Sequence, residues 1–146
     1  MHRRNFIRNC CYAAAGTTVL GTALQSCGSI YYATSSITSN RIIVARSEFI
    51  KVKKEKRIER KFVMVQPSFS EFPICLFKQG KDEYSASLLE CTHRGCEVGV
   101  GGEIFVCPCH GAEFSNKGKL LSGPAEEDLK TFRTETDNEN IVIILT

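Results

Sequence analysis

From residue 41 onward, apolar side chains fall in short runs, each closed by polar or turn-forming residues. The runs lie at 41–45, 48–52, 61–65, 73–77, 85–89, 103–106, 129–134 and 141–145. Phe49-Ile50-Lys51-Val52-Lys53 alternates with a period of two, the pattern of a strand with one face toward a core. Gln79-Gly80-Lys81-Asp82, Gly101-Gly102 and Asp137-Asn138-Glu139-Asn140 supply turn chemistry between runs. Only residues 125–130 hint at a helical period, and there is no internal repeat. Many short strands at regular spacing predict an all-β sandwich or small barrel.

The first 26 residues follow another pattern. His2-Arg3-Arg4-Asn5-Phe6-Ile7-Arg8 is basic, and a moderately apolar, small-residue stretch follows at 12–24. That stretch is shorter than the roughly 20 residues of a spanning helix, and the layout is that of a secretory signal. Arg3-Arg4-Asn5-Phe6-Ile7-Arg8 resembles the twin-arginine signal, which implies export of a protein already folded around a cofactor. Leu24-Gln25-Ser26-Cys27 resembles a bacterial lipobox, although Gln25 stands where a small or apolar residue is commoner. The resemblance implies that Cys27 becomes a lipidated first residue, with Cys10 and Cys11 lost alongside the leader. Together with Cys27, the uncharged Ser/Thr-rich stretch 28–40 is expected to form a flexible tether with a reach of about 20 Å.

Composition narrows the function classes. A length of 146 residues allows one ordinary domain behind a leader and excludes a large enzyme with separate cofactor and substrate halves. An apolar share of 42% excludes a disordered chain, and a net charge of +3 gives nucleic acid little to bind. With Arg3, Arg4 and Arg8 set aside, the remaining basic residues balance the 16 acidic ones. That neutral body is polarised: basic residues dominate 41–61 and acidic residues dominate 82–139. Two solvated faces are the default meaning of such runs. The functional readings are a basic half toward anionic lipid or an acidic half that steers a basic redox partner.

The remaining chemistry concentrates in Cys91-Thr92-His93-Arg94-Gly95-Cys96 and Cys107-Pro108-Cys109-His110-Gly111. Each group offers a thiolate and an imidazole. Four such ligands can hold zinc, or two irons with both cysteines on one and both histidines on the other. Cys96 and Cys109 make a second matched pair, which an oxidising compartment allows to bridge. Cys75, in the apolar run Pro73-Ile74-Cys75-Leu76-Phe77, is expected to be a buried, inert thiol.

Cys-Thr-His-x-Gly-Cys followed by Cys-Pro-Cys-His-Gly resembles the Rieske iron–sulfur motif, in the disulfide-bridged form of the Rieske subunits of cytochrome bc-type complexes. Gly123-Pro124-Ala125 is similar to the loop that covers the cluster in that family. The resemblance covers residues 91–125 closely. It implies an all-β Rieske fold over 41–146, with small antiparallel sheets forming a base at 41–86 and 129–146. The resemblance also implies a cluster-binding subdomain at about 87–128 inserted in that base. The resemblance implies a [2Fe-2S] cluster with Cys91 and Cys107 on the buried iron and His93 and His110 on the outer one. It further implies a Cys96–Cys109 disulfide. Neutral imidazoles in place of two thiolates raise the potential into the range of roughly −150 to +300 mV. Exposed imidazoles also give a short electron path and can release a proton on oxidation.

Three positions depart from the best-known quinol-oxidising members. Arg94 follows the first histidine where they have Leu, and Ala112 and Phe114 replace a Ser and a Tyr. Both hydroxyls donate hydrogen bonds toward sulfur, so their absence implies a lower potential. The expected role is one-electron transfer by a lipid-anchored protein on the outer face of a bacterial membrane. Its redox partner is expected to be a c-type cytochrome, cytochrome b with quinol, or an exported oxidase. The alternatives are the iron–sulfur subunit of a quinol–cytochrome c reductase, the Rieske subunit of an exported molybdenum oxidase, an oxygenase ferredoxin and a zinc module.

Overall fold

The computed structural model describes residues 30–145. Arg3, Arg4, the leader and Cys27 lie outside the described residues. The strands in chain order are β1 (Ser35–Thr38), β2 (Arg41–Ala45), β3 (Ile50–Lys53), β4 (Lys56–Glu59), β5 (Phe62–Val65), β6 (Ile74–Lys78) and β7 (Tyr84–Leu88). They continue with β8 (Gly99–Gly101), β9 (Ile104–Val106), β10 (Glu113–Ser115), β11 (Leu120–Ser122), β12 (Thr131–Thr136) and β13 (Asn140–Ile144). Seven of them form one sheet in the order β1-β2-β13-β12-β7-β6-β5. A four-stranded sheet, β11-β10-β9-β8, is inserted between β7 and β12, and β3 pairs with β4 alone.

The alternating positions build the first core. Ile42, Val44, Val63, Val65, Ile74, Leu76, Ile141 and Ile143 all point to one side of the seven-stranded sheet and are fully buried. Residues from β2, next to one end, and β5, at the other, share that core, so the sheet curls. The other side of β5 and β6 carries Met64, Cys75 and Phe77 into a second core with Leu89, Val98, Phe105 and Phe114 of the inserted unit. β6 is thus covered on both faces, which is why residues 73–77 read as an unbroken apolar run rather than an alternation. The second core is what seats the inserted sheet on the first.

The structure changes three local expectations. The alternating run at 48–52 divides into a 3-10 turn at Arg46–Phe49 followed by β3. Phe49 is withdrawn into the first core, edge-on to Tyr84 with ring centroids 5.1 Å apart. Residues 125–130 form no helix. Asp128 instead accepts the Leu120 N–H at 2.8 Å and the Lys119 ammonium at 2.7 Å, and Leu129 N–H bonds to the Gly118 carbonyl. Those bonds to β11 and its turn take the backbone and side-chain groups a helix would need.

The third change concerns the expected tether at 27–40, whose described part is largely held against the domain. Ala33 N–H donates to the Met64 carbonyl at 2.8 Å, and Met64 N–H donates to the Tyr31 carbonyl at 2.9 Å. Four residues on from Tyr31, β1 is paired with β2 from Ser35↔Val44 to Thr38↔Arg41. One segment therefore bonds to β5 at one edge of the curled sheet and, as β1, forms the other edge beside β2. Thr, Tyr and Ile are good strand formers, and the edges supply unpaired backbone groups for them.

Candidate metal centre

Two loops with matching backbone bonds carry the cysteines and histidines. In the first, between β7 and β8, Gly95 N–H bonds to the Cys91 carbonyl at 2.7 Å and Cys91 N–H to the Cys96 carbonyl at 2.9 Å. In the second, between β9 and β10, Gly111 N–H bonds to the Cys107 carbonyl at 3.0 Å and Cys107 N–H to the Ala112 carbonyl at 2.8 Å. Each loop turns on a glycine at positive φ, +67° at Gly95 and +76° at Gly111, where a side chain is disfavoured. The same turn in both loops buries the leading cysteine, leaving Cys91 2% and Cys107 1% exposed.

The side chains of the two loops converge. The His93 and His110 rings lie 4.8 Å apart between centroids at 88°. His93 is half-buried and His110 is exposed. The Cys91 thiol lies against that of Cys107. Burial pushes the Cys91 thiol above its usual range, the backbone N–H groups of His93 and Arg94 pull it down, and the neighbouring Cys107 raises it further. His93 Nδ1 is buried and has no hydrogen-bond partner. A buried polar atom left unpaired costs about 1–3 kcal/mol, and coordination to a metal removes that cost. Two adjacent thiols and two facing imidazoles, one with an orphaned nitrogen, are a donor set that fits a Rieske-type cluster.

The surroundings close the site. Cys96 and Cys109 are joined as a disulfide between the two loops, with Cα atoms 6.6 Å apart. Their sulfurs lie within 4.8 Å of that of Cys107, but bridged sulfurs have no thiolate to offer and serve as a wall. Gly123, at φ +100°, passes so close to the second loop that an added Cβ would stand 2.6 Å from Ala112 Cα and 2.9 Å from the Gly111 oxygen. Pro124 follows it at the rim of a cleft of about 410 Å³ that includes Thr92, His93, Glu126 and Glu127. Thr92 hydroxyl donates to the Glu127 carbonyl at 2.8 Å, tying the first loop to this cover. Ala112 and Phe114 are fully buried beneath the loops, while Arg94 is exposed and, among the described residues, makes no salt bridge. Cys75 lies deeper in the same core, where burial pushes its thiol far above the usual range and keeps it protonated.

The Rieske [2Fe-2S] domain family matches residues 48–133. The chain belongs to that family. It is 42% identical over 53 residues to the cytochrome b6-f complex iron-sulfur subunit of Synechococcus sp. (strain JA-2-3B'a(2-13)), covering 35% of this chain and 31% of that protein. It is 34% identical over 76 residues to the subunit of the same name from Synechococcus sp. (strain CC9605), covering 49% of this chain and 42% of the relative. The chain thus spans less than half the length of these curated relatives. Among solved structures, the cyanobacterial plasma membrane Rieske protein PetC3 from Synechocystis PCC 6803 is 37% identical with a TM-score of 0.50. That match covers 57% of this chain and 85% of that one.

Within this Rieske domain, the structure brings Cys91, His93, Cys107 and His110 together at one end. Cys96, Cys109, Gly111, Ala112, Phe114, Gly123 and Pro124 surround them, and Arg94 stands on the rim. Sequence reasoning missed Thr92 as the link to the cover and Glu126 and Glu127 as the acidic side of the cleft. Contacts between residues 35 positions apart leave no periodic trace.

Opening the disulfide with Cys96→Ser and Cys109→Ser is expected to destabilise the inserted unit by about 3 kcal/mol, the worth of closing a short loop. Denaturant unfolding followed through cluster absorbance reads this, and an unchanged midpoint would show that other contacts hold the loops.

Proposed function

We propose that this Rieske protein carries single electrons through a cluster held by Cys91, Cys107, His93 and His110, as the iron–sulfur subunit of a cytochrome bc-type, quinol-oxidising complex. The observation that carries the ligand assignment is the pair of matching loops, with two buried thiols behind two facing imidazoles and His93 Nδ1 unpartnered. The names of the curated relatives favour the complex. When bound, the cluster supplies a one-electron couple in the range set by mixed thiolate and imidazole ligation.

The chain's own residues do the rest. Cys91 and Cys107 sit in a dry core that keeps solvent from the sulfur side. His110 presents an exposed ring to a partner, and both imidazoles can hold or give up a proton at their outer nitrogens. The disulfide and the Gly123–Pro124 cover fix the loops so that little reorganises on electron transfer. Residues 1–26 act in this reading as a twin-arginine leader, Cys27 as the lipid-bearing anchor, and 41–146 as the Rieske domain with its insert near 87–128. The site then lies on the outer side of a bacterial membrane.

A second reading, a carrier that serves a c-type cytochrome or an exported oxidase without a fixed complex, is favoured by Arg94. An exposed guanidinium at the rim is costly to bury in an apolar quinol pocket unless paired. Purification from native membranes in mild detergent separates the two. Co-purification of a b-type cytochrome supports the complex, and recovery without one supports the free carrier.

The buried methyl of Ala112 and ring of Phe114 also carry a prediction. Ala112→Ser and Phe114→Tyr each place a hydroxyl where the resemblance to quinol-oxidising Rieske proteins implies a donor to sulfur. A net hydrogen bond of about 0.5–1.5 kcal/mol to the reduced form corresponds to a rise of roughly 20–65 mV for a one-electron couple. A redox titration of each variant checks this, and no rise in either would remove the argument.

A further inference from the structure

The β3–β4 ribbon stands out of the body, with every residue of both strands exposed. Its register, Lys51↔Ile58, Val52↔Arg57 and Lys53↔Lys56, puts three lysines and Ile58 on one face and Ile50, Val52 and Arg57 on the other. Glu59 is taken up by Lys78 of β6. The ribbon and its Lys54-Glu55 turn therefore set Lys51, Lys53, Lys54, Lys56 and Arg57 against the single acid Glu55. Among the described residues none of these five cations makes a salt bridge. Aliphatic side chains share the ribbon: Val52 is 67% exposed, Ile58 47% and Ile50 41%.

Strand direction places this ribbon. β6 begins beside the metal loops, where the Pro73 carbonyl accepts the Leu89 N–H two residues before Cys91. It ends at Lys78, paired with Glu59 of the ribbon. The ribbon is therefore rooted at the end of the domain away from the cysteines and histidines. The N-terminal segment arrives at that same end. Tyr31 hydroxyl bonds to Glu48 at 2.7 Å and its ring lies 3.8 Å under the Arg60 guanidinium, with Ile30 and Tyr32 exposed beside it. The proposed anchor Cys27 stands three residues before Ile30, so attachment there brings this end of the domain to the bilayer. Unpaired lysines meet anionic headgroups, their stems lie along the apolar boundary, and exposed aliphatics and tyrosines enter it.

We infer that the β3–β4 ribbon is a membrane-surface contact that seats the base of the domain on anionic lipid, with the metal loops facing away from the bilayer. This stands whatever the metal loops carry. It goes beyond lipid anchoring, because the ribbon would seat the base on the surface rather than merely keep the domain near it. A site turned outward suits the free carrier of the second reading, and a domain working in a quinol-oxidising complex would have to leave this contact.

The test uses the full chain with its cluster, carrying Cys27→Ser so that no acyl chain contributes. Binding is measured by sedimentation with vesicles of phosphatidylcholine alone, or with roughly one-third phosphatidylglycerol, at low salt. The parent is expected to prefer the anionic vesicles. Lys51→Gln, Lys53→Gln and Lys56→Gln together should weaken anionic binding on the order of 100-fold, about fivefold per charge, and leave neutral-lipid binding unchanged. Glu55→Lys should tighten it, and added salt should erase both differences. An unchanged Rieske EPR spectrum shows that the variants are folded, and the ribbon's full exposure makes this the expected outcome. Equal binding of parent and triple variant to anionic vesicles, or equal binding of the parent to both lipids, overturns the proposal. So does a parent that ignores vesicles but is retained by an acidic protein surface.

Discussion

His110→Ala and His93→Ala should each abolish the Rieske visible and EPR spectra, with iron and acid-labile sulfide lost together. The two replacements act on the same ligand set from different surroundings. His110 is exposed and its ring meets that of His93 outside the first core, so truncating it should move the thermal midpoint of that core little. His93 is half-buried and carries the unpartnered Nδ1, so alanine there also removes an orphaned polar atom. Loss of the spectra without loss of far-UV circular dichroism is the signature of a ligand rather than of a structural residue. A variant with an unchanged spectrum would refute the assignment of that histidine.

Gly123→Ala should detach the cover from the second loop. At φ +100° an L side chain is strained by about 1–2 kcal/mol. The added methyl also meets backbone at 2.6 Å, and forcing a well-packed site apart costs about 1–3 kcal/mol more. The cheapest relief is for 123–125 to lift off Gly111 and Ala112, which lets water in. Cluster absorbance should then decay at least tenfold faster on storage in air, while the curled sheet keeps its stability. Gly102→Ala is the control: it has φ +81° and nothing within 4 Å of its Cβ position. It carries the dihedral cost without the collision and should leave the decay rate alone. Equal decay of Gly123→Ala and wild type would show that the cover does not protect the site.

Most strands that were legible in the sequence bury one or both faces; β3 is the exception, marked by the alternation at 49–53 although the structure exposes both its faces. Residues 41–45, 61–65, 73–77 and 141–145 announce β2, β5, β6 and β13 because burial demands apolar residues there. β4, Lys56–Glu59, was missed because both its faces meet water, so nothing forces its residues to alternate. β8, β10 and β11 are three residues each, too short to show a period. β1 was hidden in a Ser/Thr stretch whose strand character comes from the edges it meets rather than from its own hydrophobicity. The cysteine and histidine spacings could be read because each loop closes its own turn within a few residues. The cover could be read only through family resemblance, since what holds it, Thr92 to Glu127 and Gly123 against Ala112, joins distant parts of the chain.

The segment from Tyr31 to Thr38 links the N-terminal end of the described chain to both edges of the curled sheet. A pull on the N-terminus is therefore not taken up by slack alone. Past Ile30, force passes into the hydrogen bonds on either side of Met64 and then into the β1–β2 ladder. Those bonds and the ladder are the contacts through which the segment holds the domain, so a load on it reaches them before the rest of the sheet. The side chain of Met64 reaches into the core that holds Cys91 and Cys107, so load carried by this segment is also felt beneath the metal loops. Any attachment through the N-terminus would be mechanically one element with the closure of the curled sheet, and shortening the chain past Tyr31 would loosen both at once.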